Sequence, residues 1–168
     1  CAPASQERIE HYDLQWKLTL ALIYYRDDLK KAFDSIGERF GDIGDLEKYA
    51  LEVQKDIEKD VKLFEKKKIT LENRYFWEFN PKYSTTSIVI NLLSQRYPDK
   101  TLIIAREDKD FYKISARRQD RGEDMNLLLR KLVNGLEGAA GGGHVPAAGG
   151  RFLKKDLGEF KRRLGLKA

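Results

Sequence analysis

Two stretches in the first 70 residues repeat their apolar positions at helical spacing. Apolar residues recur every three or four positions over 6–36 and again over 45–67, with charged residues between them. This spacing places the apolar side chains on one stripe of a helix. A break with three glycines, 37–44, separates the two stretches. The pattern therefore predicts a helical hairpin over residues 1–70, and no cluster of chemically active residues is evident in it.

The spacing of apolar residues changes after residue 70. Alternation of apolar and polar residues, or a short apolar run between turn signals, is typical of strands. The predicted strands are 71–79, 101–105, 111–118 and 148–153, and the predicted helices are 84–97, 124–136 and 155–164. This order, β-α-β-β-α-β-α, predicts a small domain with a mixed sheet. The whole chain is therefore expected to have an α/β (α+β) fold, an N-terminal helical hairpin followed by the sheet.

The segment 141–150 contains five glycines in ten residues, with His144 in its middle. Glycine costs backbone entropy on folding and packs no side chain, so this density indicates positive φ angles or the close approach of a ligand. Successive free backbone N–H groups in such a segment form a concave site for an anion. A flexible linker is the alternative, although linkers are usually richer in serine and more polar. We therefore expect a loop that faces a ligand.

The strand predicted at 111–118 places a hydroxyl and a guanidinium on one surface. Lys113, Ser115 and Arg117 share a face because strand side chains alternate between the two sides. Arginine binds phosphate through two parallel N–H bonds, and serine adds a further donor. An ordinary solvent-facing strand has the same pattern, so both interpretations stay open on this evidence.

Positive charge is concentrated in the second half of the chain. The net charge is −2 over residues 1–70 and +7 over residues 71–168, and residues 151–168 alone carry +5. A positive field that follows directly on the glycine-rich segment favours a polyanionic ligand such as a nucleic acid. A solvated basic helix face is the alternative. The cations expected to contact a nucleic-acid backbone are Lys154, Lys155, Arg162 and Arg163.

The sequence predicts neither a disulfide nor a metal centre. Cys1 is the only cysteine, which fits a reducing, cytoplasmic setting. The first residues lack the regions of a signal peptide, and no apolar run is long enough for a transmembrane helix. With two histidines in all, the chain has no Asp/His cluster able to hold a pair of metal ions. No residue of the chain is therefore expected to be catalytic.

The combination of motifs resembles a known family. Ser115-Ala116-Arg117-Arg118, a leucine-rich helix, and then Gly-Gly-Gly-His-Val-Pro-Ala-Ala-Gly at 141–149 resemble the C-terminal associated domain of the DHH phosphoesterase superfamily. The resemblance covers residues 71–168. That superfamily includes RecJ-like single-strand exonucleases and small nucleotide phosphodiesterases. The resemblance implies a set that binds phosphate and a nucleotide, namely Ser115, Arg117, Arg118, Gly141, Gly142, Gly143 and His144.

The resemblance also implies a second domain that carries the catalysis. In the superfamily, a separate N-terminal DHH domain holds two metal ions with Asp/His motifs that this chain lacks. The chain would then be the substrate-binding half of a longer phosphodiesterase, with manganese or magnesium held by the other domain. Residues 1–70 would connect the substrate-binding domain to the DHH domain or dock against it, and residues 71–168 would bind the substrate.

Finer assignments follow by analogy. An archaeal RecJ-like nuclease is implied, acting on single-stranded DNA or RNA or on short nucleotides, with a GINS-type replication complex as a partner. Two alternatives stay open at this point. One is a non-catalytic replication scaffold of the same descent, and the other is the tRNA-binding C-terminal module of an alanyl-tRNA synthetase-like protein.

Overall fold

The structure of the chain is a computed structural model that describes residues 3–35 and 43–166. The chain forms two compact units. The helical unit comprises Cys1–Lys59 and Lys82–Thr85, and the sheet unit comprises Asp60–Pro81 and Thr86–Ala168. No helix in the described ranges is long and apolar enough to cross a membrane.

Six α-helices and six strands make up the described part of the chain. The helices are α1 (Pro3–Tyr24), α2 (Leu29–Asp34), α3 (Leu46–Lys67), α4 (Thr86–Arg96), α5 (Met125–Val133) and α6 (Leu157–Arg163). The strands are β1 (Ile69–Leu71), β2 (Arg74–Glu78), β3 (Thr101–Asp108), β4 (Phe111–Arg117), β5 (Ala140–His144) and β6 (Ala147–Leu153). A 3₁₀ turn, Lys154–Asp156, precedes α6. The predicted class, N-terminal helices followed by a mixed-sheet domain, is confirmed.

The first predicted helix, 6–36, is divided into α1 and α2. Asp28 stands before α2, and its side chain accepts a hydrogen bond from the Lys31 N–H at 3.1 Å. A carboxylate that caps the backbone in this way favours a helix start over a helix interior, which explains the break. Within the helical unit, Tyr24 of α1 packs on Tyr49 of α3 with 4.4 Å between ring centroids. The predicted glycine-rich break at 37–44 lies mostly outside the described residues.

The sheet has six strands in the order β1-β2-β3-β4-β6-β5. Only the β2–β3 pair is parallel, with α4 as its connection, and the other four pairs are antiparallel. The single strand predicted at 71–79 is wrong in one respect, because the chain turns at Glu72 and forms a β1–β2 hairpin. Glu72 has a φ of 36°, in the left-handed region that turns use and strands do not.

The two faces of the sheet pack against different helices. One core lies between the sheet and helices α5 and α6, and includes Phe76, Ile103, Ile114, Ala116, Leu129, Phe152 and Phe160. Because strand residues alternate, Leu102 and Ile104 point to the opposite face, where both are buried. Helix α4 packs on β3 and β4. Ser115 and Arg117 alternate with Ile114 and Ala116, so they lie on the α4 face of the sheet.

The glycine-rich segment is a β-hairpin, and its prediction as a loop is wrong. β5 and β6 pair in continuous antiparallel register from Ala140 opposite Arg151 to His144 opposite Ala147. A Cβ at Gly143 would lie 2.5 Å from both the Ala147 carbonyl oxygen and the Ala148 Cα. The strands therefore approach too closely for any other residue there. Glycine is a poor strand former, so the ladder and the packing of α5, rather than local propensity, decide this structure.

The turn of this hairpin is held by backbone hydrogen bonds. The Val145 carbonyl accepts from the Met125 N–H at 2.9 Å, and the Pro146 carbonyl accepts from the Arg118 N–H at 3.0 Å. Met125 is the first residue of α5, and Asp124 caps that helix by accepting from Leu127 N–H at 3.0 Å. The hairpin turn, the end of β4 and the start of α5 are thus fixed against one another.

Gly143→Ala should destabilise the sheet unit, whereas Gly142→Ala should not. The added methyl group at position 143 meets backbone atoms, and such overpacking costs about 1–3 kcal/mol. At position 142 a Cβ has 3.8 Å to its nearest neighbour, so the free energy of unfolding should stay within about 0.5 kcal/mol of the parent chain. Urea denaturation of both variants measures the difference. Equal stability of the two variants would contradict the close approach.

Candidate functional site

The strand register aligns residues in rows across β4, β6 and β5, and the β4 residues of these rows lie on the α4 face of the sheet. The first row is Arg117–Ala147–His144, the second is Ser115–Gly149–Gly142, and the third is Lys113–Arg151–Ala140. Neighbouring strands are about 4.8 Å apart, so the backbones at Arg117 and His144 are separated by roughly 10 Å. The Ser-x-Arg motif of β4 and the glycine–histidine motif of β5, both predicted to bind phosphate, therefore contribute residues to the same two rows.

Small residues on β6 leave an open cleft between these rows and helix α4. The cleft has a volume of about 210 Å³. Its lining on the sheet side is Ser115, Ala116, Arg117, Gly143, Ala147, Ala148 and Gly149, and on the α4 side it is Ser87, Ile90 and Asn91. A Cβ at Gly149 would meet only the Ile114 carbonyl oxygen, at 3.7 Å. Because Gly149 has no side chain, the cleft stays open above β6 at this position.

Two buried polar atoms of cleft-lining residues have no partner in the described part of the chain. They are Arg117 Nε and Asn91 Oδ1. Leaving a buried donor or acceptor unpaired costs about 1–3 kcal/mol, so buried polar groups are normally satisfied. One of these atoms is a cationic donor and the other is an acceptor. A ligand that combines an anionic group with a hydrogen-bond donor would satisfy both.

Arg118 has a different environment from Arg117. It is buried, and its Nε donates to Asp120 Oδ1 at 2.6 Å. Together with the Gly122 N–H, this bond lowers the pKa of Asp120 to about 2. Arg118 lies outside the cleft lining and holds the loop that follows β4. Its predicted contact with phosphate stays a prediction, whereas its ion pair fixes the end of the strand that carries Arg117.

The glycines and His144 contribute unequally to the cleft. Gly143 lines it, but the Gly143 N–H already donates to Asn126 Oδ1 at 3.1 Å. A Cβ at Gly141 would lie 3.1 Å from Val133 Cγ2, so Gly141 is in contact with α5 rather than with the cleft. His144 is exposed at the end of β5, next to the lining. The predicted backbone contacts of Gly142 and Gly143 with phosphate stay untested.

All four cations predicted to contact a nucleic-acid backbone are paired with carboxylates. The pairs are Lys154–Glu107, Lys155–Glu137, Arg162–Glu159 at 2.6 Å and Arg163–Glu159 at 2.7 Å. Arg162, and after it Arg163, lowers the pKa of Glu159 to about 2, which keeps that carboxylate ionised. The structure gives these cations intramolecular partners, so their predicted role depends on exchanging them for phosphates.

Sequence reasoning missed the contribution of α4. Ser87 and Asn91 lie one helical turn apart and face the cleft, yet neither belongs to a motif. One signal was present, because Asn91 interrupts the apolar stretch from Ile88 to Leu93. Asparagine is disfavoured in helix interiors, so such a position requires a partner.

The described residues do not form a metal centre. No three His, Cys, Asp or Glu side chains come together in the ranges that the structure describes. The residues around the cleft therefore do not fit a pair of catalytic metal ions. What they offer is a guanidinium, a hydroxyl and an amide, which suit binding and orientation of an anionic group.

Comparison with known proteins identifies the domain. A family model for the DHHA1 domain matches residues 73–165, more than half of the chain. RecJ from Thermus thermophilus, solved with Mg²⁺, aligns at a TM-score of 0.56 and 15% identity over 73% of this chain and 19% of that chain. The pGpG-specific phosphodiesterase PggH from Vibrio cholerae aligns at a TM-score of 0.53 and 15% identity over 71% of this chain and 41% of that chain.

A third structure, the C-Ala domain of alanyl-tRNA synthetase from Aquifex aeolicus, aligns at a TM-score of 0.49 and 16% identity over 58% of this chain and 94% of that domain. No curated protein sequence matches the chain significantly. The chain spans less than half of RecJ and of PggH, and the likeness to those two shows a shared fold. With its family match over residues 73–165, the chain belongs to the DHHA1 domain family, the associated domain of DHH phosphoesterases.

Proposed function

We propose that the DHHA1 domain of this chain binds the terminal phosphate and nucleoside of a nucleotide substrate. The observation that supports this most is the cleft that joins Arg117 and Ser115 to Asn91, with an unpaired cationic donor and an unpaired acceptor in its lining. Arg117 would hold the phosphate through its guanidinium, and Ser115 would donate a further hydrogen bond. His144, in the same cross-strand row as Arg117, would close the site from β5.

The α4 side of the cleft suits the uncharged part of the substrate. Ser87 and Asn91 offer a hydroxyl and an amide, and Ile90 between them offers apolar surface. This combination suits a sugar or a base rather than a second charged group. We infer that the phosphate lies over β4 and β6 while the nucleoside contacts α4.

The substrate-binding role implies a longer enzyme of the phosphodiesterase class. Family members pair this domain with a DHH domain that holds manganese or magnesium, and metal ions there would supply an activated water. RecJ-like digestion of single-stranded nucleic acid is the activity that we favour for the whole protein. Docking on a GINS-type replication complex stays a prediction from the resemblance.

Arg117→Ala and His144→Ala should each weaken binding of a nucleoside monophosphate by about 10- to 150-fold. The reason is that one charge-assisted contact to phosphate contributes about 1.5–3 kcal/mol. Isothermal titration with the purified chain measures the affinity, and Lys155→Ala is the matched control because Lys155 is paired with Glu137 away from the cleft. Unchanged affinity in both site variants, with the fold intact by circular dichroism, would remove this assignment.

The 168-residue chain on its own should not cleave a phosphodiester. Hydrolysis at neutral pH requires a strong nucleophile, which paired metals generate from water, and the described side chains form no such ligand set. The assay is release of nucleotides from an end-labelled single strand in the presence of manganese. A metal-binding DHH domain, supplied in cis or as a second polypeptide, should restore cleavage, and Arg117→Ala should then reduce it. Metal-dependent cleavage by the chain alone would show that the active site lies within it.

A further inference from the structure

A row of cations lies on the same sheet face as the cleft, one step further along the strands. Arg106 of β3 is opposite Lys113 of β4, and Lys113 is opposite Arg151 of β6. Strand residues two apart are about 7 Å from each other, so this cationic row lies roughly 7 Å from Ser115 and roughly 14 Å from Arg117. The three cations therefore continue the line of the phosphate site along β4.

The charge of the cationic row is largely unneutralised. Neither Arg106 nor Arg151 has a carboxylate within ion-pair distance among the described residues. Lys113 forms an ion pair with Asp108, which stands two residues after Arg106 on the same face. Three cations thus face one carboxylate. The C-terminal tail is closer to neutral, because its four predicted cations face three carboxylates, with Glu159 shared by Arg162 and Arg163.

Arg151 is also held in position. Its guanidinium carbon lies 5.1 Å from the centroid of the Phe111 ring, which is next to Lys113 on the same face of β4. A guanidinium stacked on an aromatic ring loses part of its freedom before any ligand arrives, and it keeps its N–H groups available at the ring edge. Such a preorganised cation is better suited to phosphate than a mobile surface lysine.

We propose that Arg106, Lys113 and Arg151 form a second anion subsite, which holds a further phosphate of a nucleotide chain whose terminal phosphate lies at Arg117. The inference rests on the proposed function of the cleft and extends it to a substrate class. The ligand is a single-stranded chain of at least two or three nucleotides that follows β4 across the sheet face. A mononucleotide reaches only the cleft, whereas a longer chain reaches both subsites.

The test compares ligand length in matched charge variants of the full chain. Arg106→Gln/Arg151→Gln removes two cations from the subsite, and Lys155→Gln/Arg162→Gln removes two cations from the tail. The ligands are a nucleoside monophosphate and a terminally phosphorylated tetranucleotide, each titrated at two or more salt concentrations. Arg151→Gln alone is included because Arg151 is exposed and its replacement leaves the core intact.

The parent chain and the tail variant should bind the tetranucleotide at least 10-fold more tightly than the monophosphate. The subsite variant should lose that gain while it keeps the affinity for the monophosphate. Its log–log salt slope should fall by about 0.7 for each phosphate that the protein no longer neutralises. Arg151→Gln should show part of the same reduction.

Two results would overturn the subsite. In the first, the parent chain binds the tetranucleotide no more tightly than the monophosphate. In the second, both double variants lose the extra affinity for the tetranucleotide equally, which would indicate general electrostatic attraction. In both cases the cleft assignment survives. Failure of the parent chain to bind either ligand would instead refute the proposed function, and the subsite with it.

Discussion

The close approach of β5 and β6 is the constraint on which the candidate site depends. At Gly143 the two backbones leave no space for a side chain, so the hairpin closes tightly and its register is fixed. Register decides which residues share a face, because a slip by one residue would turn every side chain to the other side. With this register, Arg117 and His144 share a row and Gly149 lies beside Ser115. The open cleft is thus a consequence of small residues on β6, which lies between β4 with Ser115 and Arg117 and β5 with His144.

Two consecutive arginines at the end of β4 have different roles, because neighbouring strand residues point to opposite sides of the sheet. Arg117 lies in the cleft with an unpaired Nε, whereas Arg118 is buried and bonded to Asp120. Nearby, Glu123 accepts from Thr101 at 2.7 Å and pairs with Arg74, and these bonds lower its pKa against the opposing effect of burial. These pairs tie the loop after β4 to β2 and β3. The support for the site is therefore built mainly from ion pairs, although Arg118 Nη1, like Arg117 Nε in the site, is buried without a partner among the described residues.

The sequence predicts the elements better than it predicts their assembly. Alternation and helical spacing identify β3, β4, α4 and α5 within a few residues, since burial on one face leaves a periodic pattern. The β5 strand escaped prediction because its glycines carry no pattern, and only pairing with β6 defines it. The role of Asn91 depends on where α4 lies over the sheet, which no local feature encodes. The Ser-x-Arg and glycine–histidine motifs were informative together because the register makes them neighbours.

Charge summed along a sequence is a poor guide to the field that a ligand meets. Residues 151–168 carry the largest local excess of positive charge, yet the tail cations find carboxylates on β3, on the loop after α5 and within α6 itself. Arg106 lies far from that segment and Arg151 is its first residue, yet the sheet places both in one row with Lys113. Exposed ion pairs contribute little net field, because opposite charges at contact distance cancel beyond a few ångströms and salt screens the remainder. Cross-strand register therefore decides which cations lie together, and it places Arg106, Lys113 and Arg151 on the face that also contains the cleft.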